Sequence, residues 1–309
     1  MAHGSTPDSV APRRPDDPGR VGAGPDQRAA TAFERATSVR PTDDPGTWAW
    51  AVPDGWQQGR GAYGGLPVAA AVRAVERQAA DADPGTRLRS MSVEILAPVP
   101  VGDTAVTVTA LRRGSSVAAY DVAVRADAAP TPDAPVLVHA AVTRGADRVP
   151  DLDLRSAPWG PPPAPVSPSW ADVPVVPVEA PFGPVFGQHV EFRPVSGLPL
   201  QGRPEDVLAW VRFRDRDESR PYDEAQVAAL ADAAWPVTLV ALATMRPLVT
   251  LTFTLDLLVD PATLDPRQPL LHHGRLVAGD AGYLVEIRQL WAPDGRLVTH
   301  NVQTMAIIR

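Results

Sequence analysis

From Gly64 to about Ala80 the chain reads GGLPVAAAVRAVERQAA, with apolar residues returning every third or fourth position, the period of a helix with one buried face. A second such stretch, DEAQVAALADAAW, runs from Asp223 to about Trp235. Asp223 and Gln226 have the spacing of a capping box, and Pro236 predicts the stop. Around these helices the period shortens to two, with turn residues between runs such as SMSVEILAP (from Ser90), VHAAVTR (from Val138), TFTLDLLVDP (from Thr252) and VTHNVQT (from Val298), which predicts strands. Each half of the chain thus reads as a short strand region, one alanine-rich helix, then a series of strands.

The halves line up. Glu94 and Asp256 are 162 residues apart, Pro98 and Pro261 163, and Val138 and Val298 160, so the pattern predicts an internal duplication of about 160 residues. By those offsets Asp232 falls opposite Ala70, Thr250 opposite Leu88 and Gln303 opposite Thr143. The 36 prolines crowd into 7–45, 128–135 and above all 157–184, where they exclude helix and central strand. The expected organisation is a disordered tail over 1–30, a first domain over 31–150, a Pro-rich linker over 151–184 and a second domain over 185–309.

Composition narrows the chemistry. With no cysteine and no lysine, the chain has no thiolate nucleophile, no Cys-held metal and no Schiff-base lysine. The net charge of −7, with arginines interleaved among carboxylates, argues against a nucleic-acid partner. No apolar run reaches the length of a membrane span and the first forty residues lack the apolar core of a signal peptide, so a soluble, cytoplasmic protein is expected. No metal or cofactor is expected: the six histidines have no ligand spacing, and neither a G-x-S-x-G elbow nor a dinucleotide loop in its strand–helix context occurs.

Several polar residues stand out against apolar surroundings. Asp232 is the one charged residue between Val227 and Met245, so it is either buried and hydrogen-bonded, lining a cavity, or on an exposed stripe of its helix. Thr250, Thr252, Thr254 and Asp256 alternate with Leu251, Phe253, Leu255 and Leu257, one polar and one apolar face of a strand. Gln303 lies in the last apolar strand, where a buried amide needs partners. Tyr63, Gly64 and Gly65 open the first helix. Their backbone would suit close approach of a substrate or an oxyanion, or equally a tight turn. Arg112 and Arg113 before Gly114 read as phosphate contacts or as a solvated turn.

Taken together, GAYGG, RSMSVEILAPVPVGD with LRRG after it, WVRFRD, LADAAWP, VTLTFTLDLLVDP and LWAPDGRLVTHNVQTMAIIR resemble, in order and spacing, the double-hotdog acyl-CoA thioesterases of the bacterial thioesterase II type, over about residues 33–309. The resemblance implies an α+β fold of two tandem hotdog domains, each an antiparallel sheet wrapped around one central helix. It implies hydrolysis of acyl-CoA, or another pantetheine thioester, to free acid and thiol by a water oriented by Asp232, Thr250 and Gln303. A two-residue shift would put Thr252 in place of Thr250. Tyr63, Gly64 and Gly65 are the expected substrate-binding residues, with Trp48, Trp56, Trp210 and Trp235 as candidate pocket walls. No membrane partner is expected, and sheet edges offer a route to a homo-oligomer. Two other functions fit the same fold: an enoyl-CoA hydratase or dehydratase using an Asp with a His, and a non-catalytic acyl-binding protein.

Overall fold

Alanine lets the two predicted helices come close. In the computed structural model α1 (Ala32–Ala36) precedes α2 (Gly65–Ala79), which packs directly on α3 (Glu224–Ala233). Every residue of α3 is buried, as are eleven of α2. Asp223 accepts from the Gln226 N–H at 2.7 Å while Gln226 accepts from the Asp223 N–H at 3.2 Å, so the capping box forms as predicted. Pro236 ends the helix by starting the short α4 (Val237–Ala241).

The first half contributes β1 (Val39–Pro41), β2 (Thr47–Val52), the small pair β3 (Gln57–Gln58) and β4 (Gly61–Ala62), then β5 (Thr86–Ile95), β6 (Gly102–Arg113), β7 (Val117–Ala126) and β8 (Val136–Ala146). The second contributes β9 (Val190–Ser196), β10 (Val207–Phe213), β11 (Leu248–Leu257), β12 (Leu270–Asp280), β13 (Tyr283–Trp291) and β14 (Leu297–Ile307). The structure describes Met1 and residues 29–127, 134–148, 169–178, 180–181 and 183–308, so most of the predicted tail and of the predicted linker lies outside the described residues. The described residues from Thr31 onward make one compact unit.

Twelve strands form one antiparallel sheet, in the order β1-β2-β6-β7-β8-β5-β11-β14-β13-β12-β10-β9. Read outward from the β5–β11 seam, both sides have the same succession, so a pseudo-twofold axis passes between those strands. This is the tandem hotdog arrangement, α2 and α3 lying against the inner face of a shared curved sheet. The seam pairs Glu94 with Thr252 and Ser90 with Asp256.

A second mark of the duplication is a bulge in each seam strand. The β5–β8 register shifts between Leu88 and Ser90, and the β11–β14 register between Thr250 and Thr252. An extra residue reverses which face the following side chains take. Phe253, Leu255 and Leu257 therefore point inward beyond the bulge, Thr250 points inward before it, and Thr252, Thr254 and Asp256 belong to the outer face. The single polar face read from the alternation is split at Leu251.

Linker residues 170–173 fold back on the second half. Trp170–Asp172 is a 3-10 turn, and Val173 packs with Trp210, Leu271 and Trp291 on the sheet face turned away from α3. Trp210 is therefore a wall of that outer cluster and not of the helix-side interior. Trp235 lies inside, its indole N–H donating to the Gly197 carbonyl at 2.7 Å. Among the described residues no helix is long and apolar enough to cross a membrane.

Candidate active site

Asp232 sits in the last turn of α3, the negative end of that helix, and is almost wholly buried. Both conditions disfavour a carboxylate. Burial is the largest influence and pushes its pKa up, with Glu286 adding to it; the Arg288 guanidinium, the Gln303 amide and the Gly65 N–H pull the other way. That N–H belongs to the first residue of α2, whose own cap Gly64 has no side chain to offer, so the Asp232 carboxylate faces the N-terminal end of that helix.

The three residues expected to orient a water come together. Gln303 is fully buried; its Nε2 donates to Asp232 Oδ1 at 2.9 Å and to Asn301 Oδ1 at 3.0 Å. Its Oε1 accepts from Thr250 Oγ1 at 3.2 Å. The amide thus links carboxylate and hydroxyl in one chain, and Asn301 fixes the amide's orientation by donating to the Thr254 carbonyl at 2.8 Å. Thr252 is elsewhere: its hydroxyl accepts from the Thr304 N–H at 3.3 Å on the outer side.

Tyr63, Gly64 and Gly65 form the opposite wall. A Cβ built on Gly64 would lie 2.6 Å from Asp232 Oδ2, and one on Gly65 would lie 2.5 Å from the Tyr63 ring and 2.7 Å from the Ala229 carbonyl. Glycine here is what permits carboxylate, ring and helix to share the space. Tyr63 is fully buried between Trp56 and Phe186, and its hydroxyl has no partner among the described residues. Gly64→Ala is an informative change, because its φ of −57° and ψ of −33° suit alanine and what stands in the way is the carboxylate, with the flexible tip of Ile95 at 3.3 Å. On the role expected of Asp232 from the sequence, its displacement should lower turnover on the order of a hundredfold while the protein still unfolds cooperatively. Steady-state kinetics and circular dichroism melts check this, and wild-type activity would dismiss the packing argument.

Two residues of this site are absent from the sequence-based set. Glu286 and Arg288 are almost fully buried on β13 and lie between Leu284 and Leu290 on one strand face. Arg288 reaches Asp232 Oδ1 at 3.4 Å and Glu286 Oε2 at 3.2 Å. Charged residues two apart within an inward apolar row were the available signal. His272 also lies buried on the inner face, in β12, both ring nitrogens without partners among the described residues, and its pKa is pushed well below the usual value, chiefly by burial. Arg113 pairs with Asp83 at 3.6 Å, and Arg112 beside it is exposed.

The pseudo-twofold repeats this geometry with different residues. The two N-caps, Gly64 and Asp223, correspond; Gly64 meets Asp232, and Asp223 meets Arg73 at 2.7 Å, which makes Arg73, not Ala70, the counterpart of Asp232. Sheet register likewise makes Val142, not Thr143, the counterpart of Gln303, while Leu88 stands opposite Thr250 as expected from the offset. One offset does not serve every element because the connecting loops differ in length. The mirrored site is closed by ions: Arg144 pairs with Glu224 at 2.7 Å, and Glu224 also accepts from the Leu88 N–H at 2.8 Å. Nearby Glu76, facing Arg73 at 3.4 Å, has its pKa pushed up to about 7, mainly by burial. A cavity of about 250 Å³ opens at this mirrored end, lined by Glu34, Arg220, Tyr222 and Asp223, away from Asp232.

Comparison with known proteins agrees with this architecture. Sequence models of the acyl-CoA thioesterase N-terminal and C-terminal domains match residues 52–145 and 158–307. A conserved hot dog fold protein of unknown function from Alicyclobacillus acidocaldarius is similar at 24% identity and a TM-score of 0.73, over 91% of this chain and 99% of that one. The tesB protein of Mycobacterium avium subsp. paratuberculosis is similar at 15% identity and a TM-score of 0.66, over 90% and 98%. The acyl-CoA thioesterase II TesB2 of Mycobacterium marinum follows at 14% and 0.64, over 90% and 97%. At these identities the structural likenesses speak for the fold alone. No curated protein matches the sequence.

Proposed function

The chain belongs to the acyl-CoA thioesterase family, a thioester hydrolase by both of its domains, and from that premise we propose that Asp232, Thr250 and Gln303 orient the attacking water at a single site in the second domain. The observation that carries the reading is the continuous Thr250–Gln303–Asp232 hydrogen-bonded chain on the inner face.

In this mechanism the water rests between the Asp232 carboxylate and the Thr250 hydroxyl. It attacks the thioester carbonyl carbon while Asp232 takes its proton. A carboxyl whose pKa is raised is the better base for this step, provided it remains ionised. The carbonyl oxygen becomes an oxyanion and accepts from the Tyr63 hydroxyl, a buried donor with no other partner among the described residues. Collapse breaks the carbon–sulfur bond. The proton on Asp232 passes to the departing thiolate, which leaves as coenzyme A with the free acid as the other product.

The test is thiol release from acyl-CoAs of short to long chain, read with a chromogenic thiol reagent; with no cysteine in the protein, the signal comes from product alone. Wild type is expected to turn over at least part of the series. Thr250→Val should lower kcat by about tenfold to a hundredfold, the loss of one polar contact made in the transition state. Thr252→Val should leave kcat within roughly twofold, because that hydroxyl serves the outer strand pair. The reverse ranking of the two threonines would refute the assignment.

A further inference from the structure

Behind the catalytic carboxylate runs a second buried chain that the reaction as written does not use. Glu286 Oε1 accepts from the backbone N–H of Thr238 at 2.8 Å and from its hydroxyl at 3.0 Å, so Glu286 caps α4 from the neighbouring strand. Its other oxygen accepts from Arg288 Nε at 3.3 Å and Nη2 at 3.2 Å. Arg288 Nη1 then reaches Asp232 Oδ1 and the Ala234 carbonyl, each at 3.4 Å. Its Nη2 also lies 3.7 Å from Met305 Sδ. Glu286 has no exposed surface and Arg288 is 2% exposed. Two charged side chains placed inside a β-sheet interior need a compensating role or complete pairing.

The duplication supplies an internal comparison. Register pairs Glu286 with Gln303 and Arg288 with Asn301 in the second half; in the first, Tyr120 pairs with Val142 and Val122 with Ala140. The counterparts of Glu286 and Arg288 are thus Tyr120 and Val122. Where the mirrored helix carries Arg73 in place of Asp232, the neighbouring strand carries no charge at these two positions. The Glu286–Arg288 pair occurs on the side that holds the carboxylate.

We propose that Arg288, clamped by Glu286 to the start of α4, is a positioning residue that holds Asp232 in its ionised, water-facing orientation. This rests on Asp232 being the base of the hydrolysis. The groups facing Asp232 are Arg288 and Glu286 from β13, the Tyr63 hydroxyl from the start of α2, and the uncharged Gln303 and Thr250. His272 from β12 faces Arg288, and burial holds its pKa well below the usual value. Among these Arg288 is the sole cation. It opposes the burial and the Glu286 charge that push the Asp232 carboxyl upward.

The experiment is the pH dependence of kcat on the best acyl-CoA substrate for wild type, Arg288→Gln, Arg288→Lys and Glu286→Gln. Activity requires ionised Asp232, so it falls as pH drops through that group's value in the complex. Arg288→Gln removes the neighbouring cation and should move this acid limb up by about 1–3 pH units, with Arg288→Lys restoring part of the shift. Glu286→Gln removes a neighbouring anion and should move the limb in the opposite direction, a result that stands even if Arg288→Gln fails to fold. An acid limb at the wild-type position in every folded variant, with kcat merely scaled down, would overturn the positioning role. An acid limb that survives with undiminished activity in Asp232→Asn would instead overturn the assignment of Asp232 itself.

Discussion

Asp232→Asn is expected to reduce kcat for acyl-CoA hydrolysis by about 10²–10⁴-fold, the range that a positioned base contributes, while leaving the fold intact. An asparagine with its oxygen in the Oδ1 place keeps the acceptor for the Gln303 amide, and Arg288 keeps Glu286 as its ion partner. Stability has a definite sign. Folding raises the pKa of this carboxyl, so its contribution is fully present below the ordinary carboxylate range and is lost as pH rises through the folded value. At neutral pH the buried charge is a net burden that an amide does not carry. The thermal midpoint of the variant should therefore equal or exceed that of wild type at pH 7 and lose that advantage near pH 3. A variant that is inactive because it has unfolded at pH 7 would make Asp232 a structural residue and remove the basis of the mechanism.

Arg144→Met should do the converse: lower stability by about 3–5 kcal/mol with kcat unaltered wherever the protein remains folded. Arg144 and Glu224 are 8% and 11% exposed, paired at 2.7 Å, and Arg144 also donates to the Thr86 carbonyl at 2.6 Å. Truncating the arginine leaves Glu224 a buried anion at the N-terminus of α3, with the Leu88 N–H as its remaining close donor among the described residues. Combining Arg144→Met with Glu224→Gln should then be less harmful than the sum of the two changes, since the orphaned charge disappears while the acceptor for Leu88 stays. Urea unfolding of the four proteins in the cycle measures this. Additive losses would show that the pair is not coupled. Asp232→Asn lies in one half of the repeated frame and Arg144→Met at the mirrored end, where Met305 is its counterpart, so their opposite phenotypes would separate chemistry from scaffolding within one frame.

Much of this frame is visible in the chain itself. A period of 3.6 in alanine-rich stretches and of two elsewhere locates both helices and the principal strands, and the Asp223–Gln226 box places the start of α3 correctly. Asp232 announces itself as one charge amid valine, alanine and leucine, because burying a carboxylate is expensive enough to need a reason. What the pattern hides is whatever depends on a single inserted residue or on contacts between distant segments. The bulge at Leu251 turns Thr250 inward and Thr252 outward, although both look equivalent by alternation. Arg73 replaces Ala70 as the mirror of Asp232 because the helices and strands are separated by loops of unequal length. Glu286 and Arg288 were legible as charges in phase with Leu284 and Leu290, but their partners on α3 and α4 come from folding alone.

The proposed site draws Asp232, Thr250 and Gln303 from one half and Gly64, Gly65 and Tyr63 from the other, across the β5–β11 seam and the α2–α3 contact. In a dimer of separate hotdog chains such a site would assemble by mass action and empty on dilution. Here both walls travel on one polypeptide, so the partner is always present at the effective concentration set by the tether. Completion of this proposed site is therefore first order in protein: specific activity should hold down to concentrations at which a two-chain version would come apart.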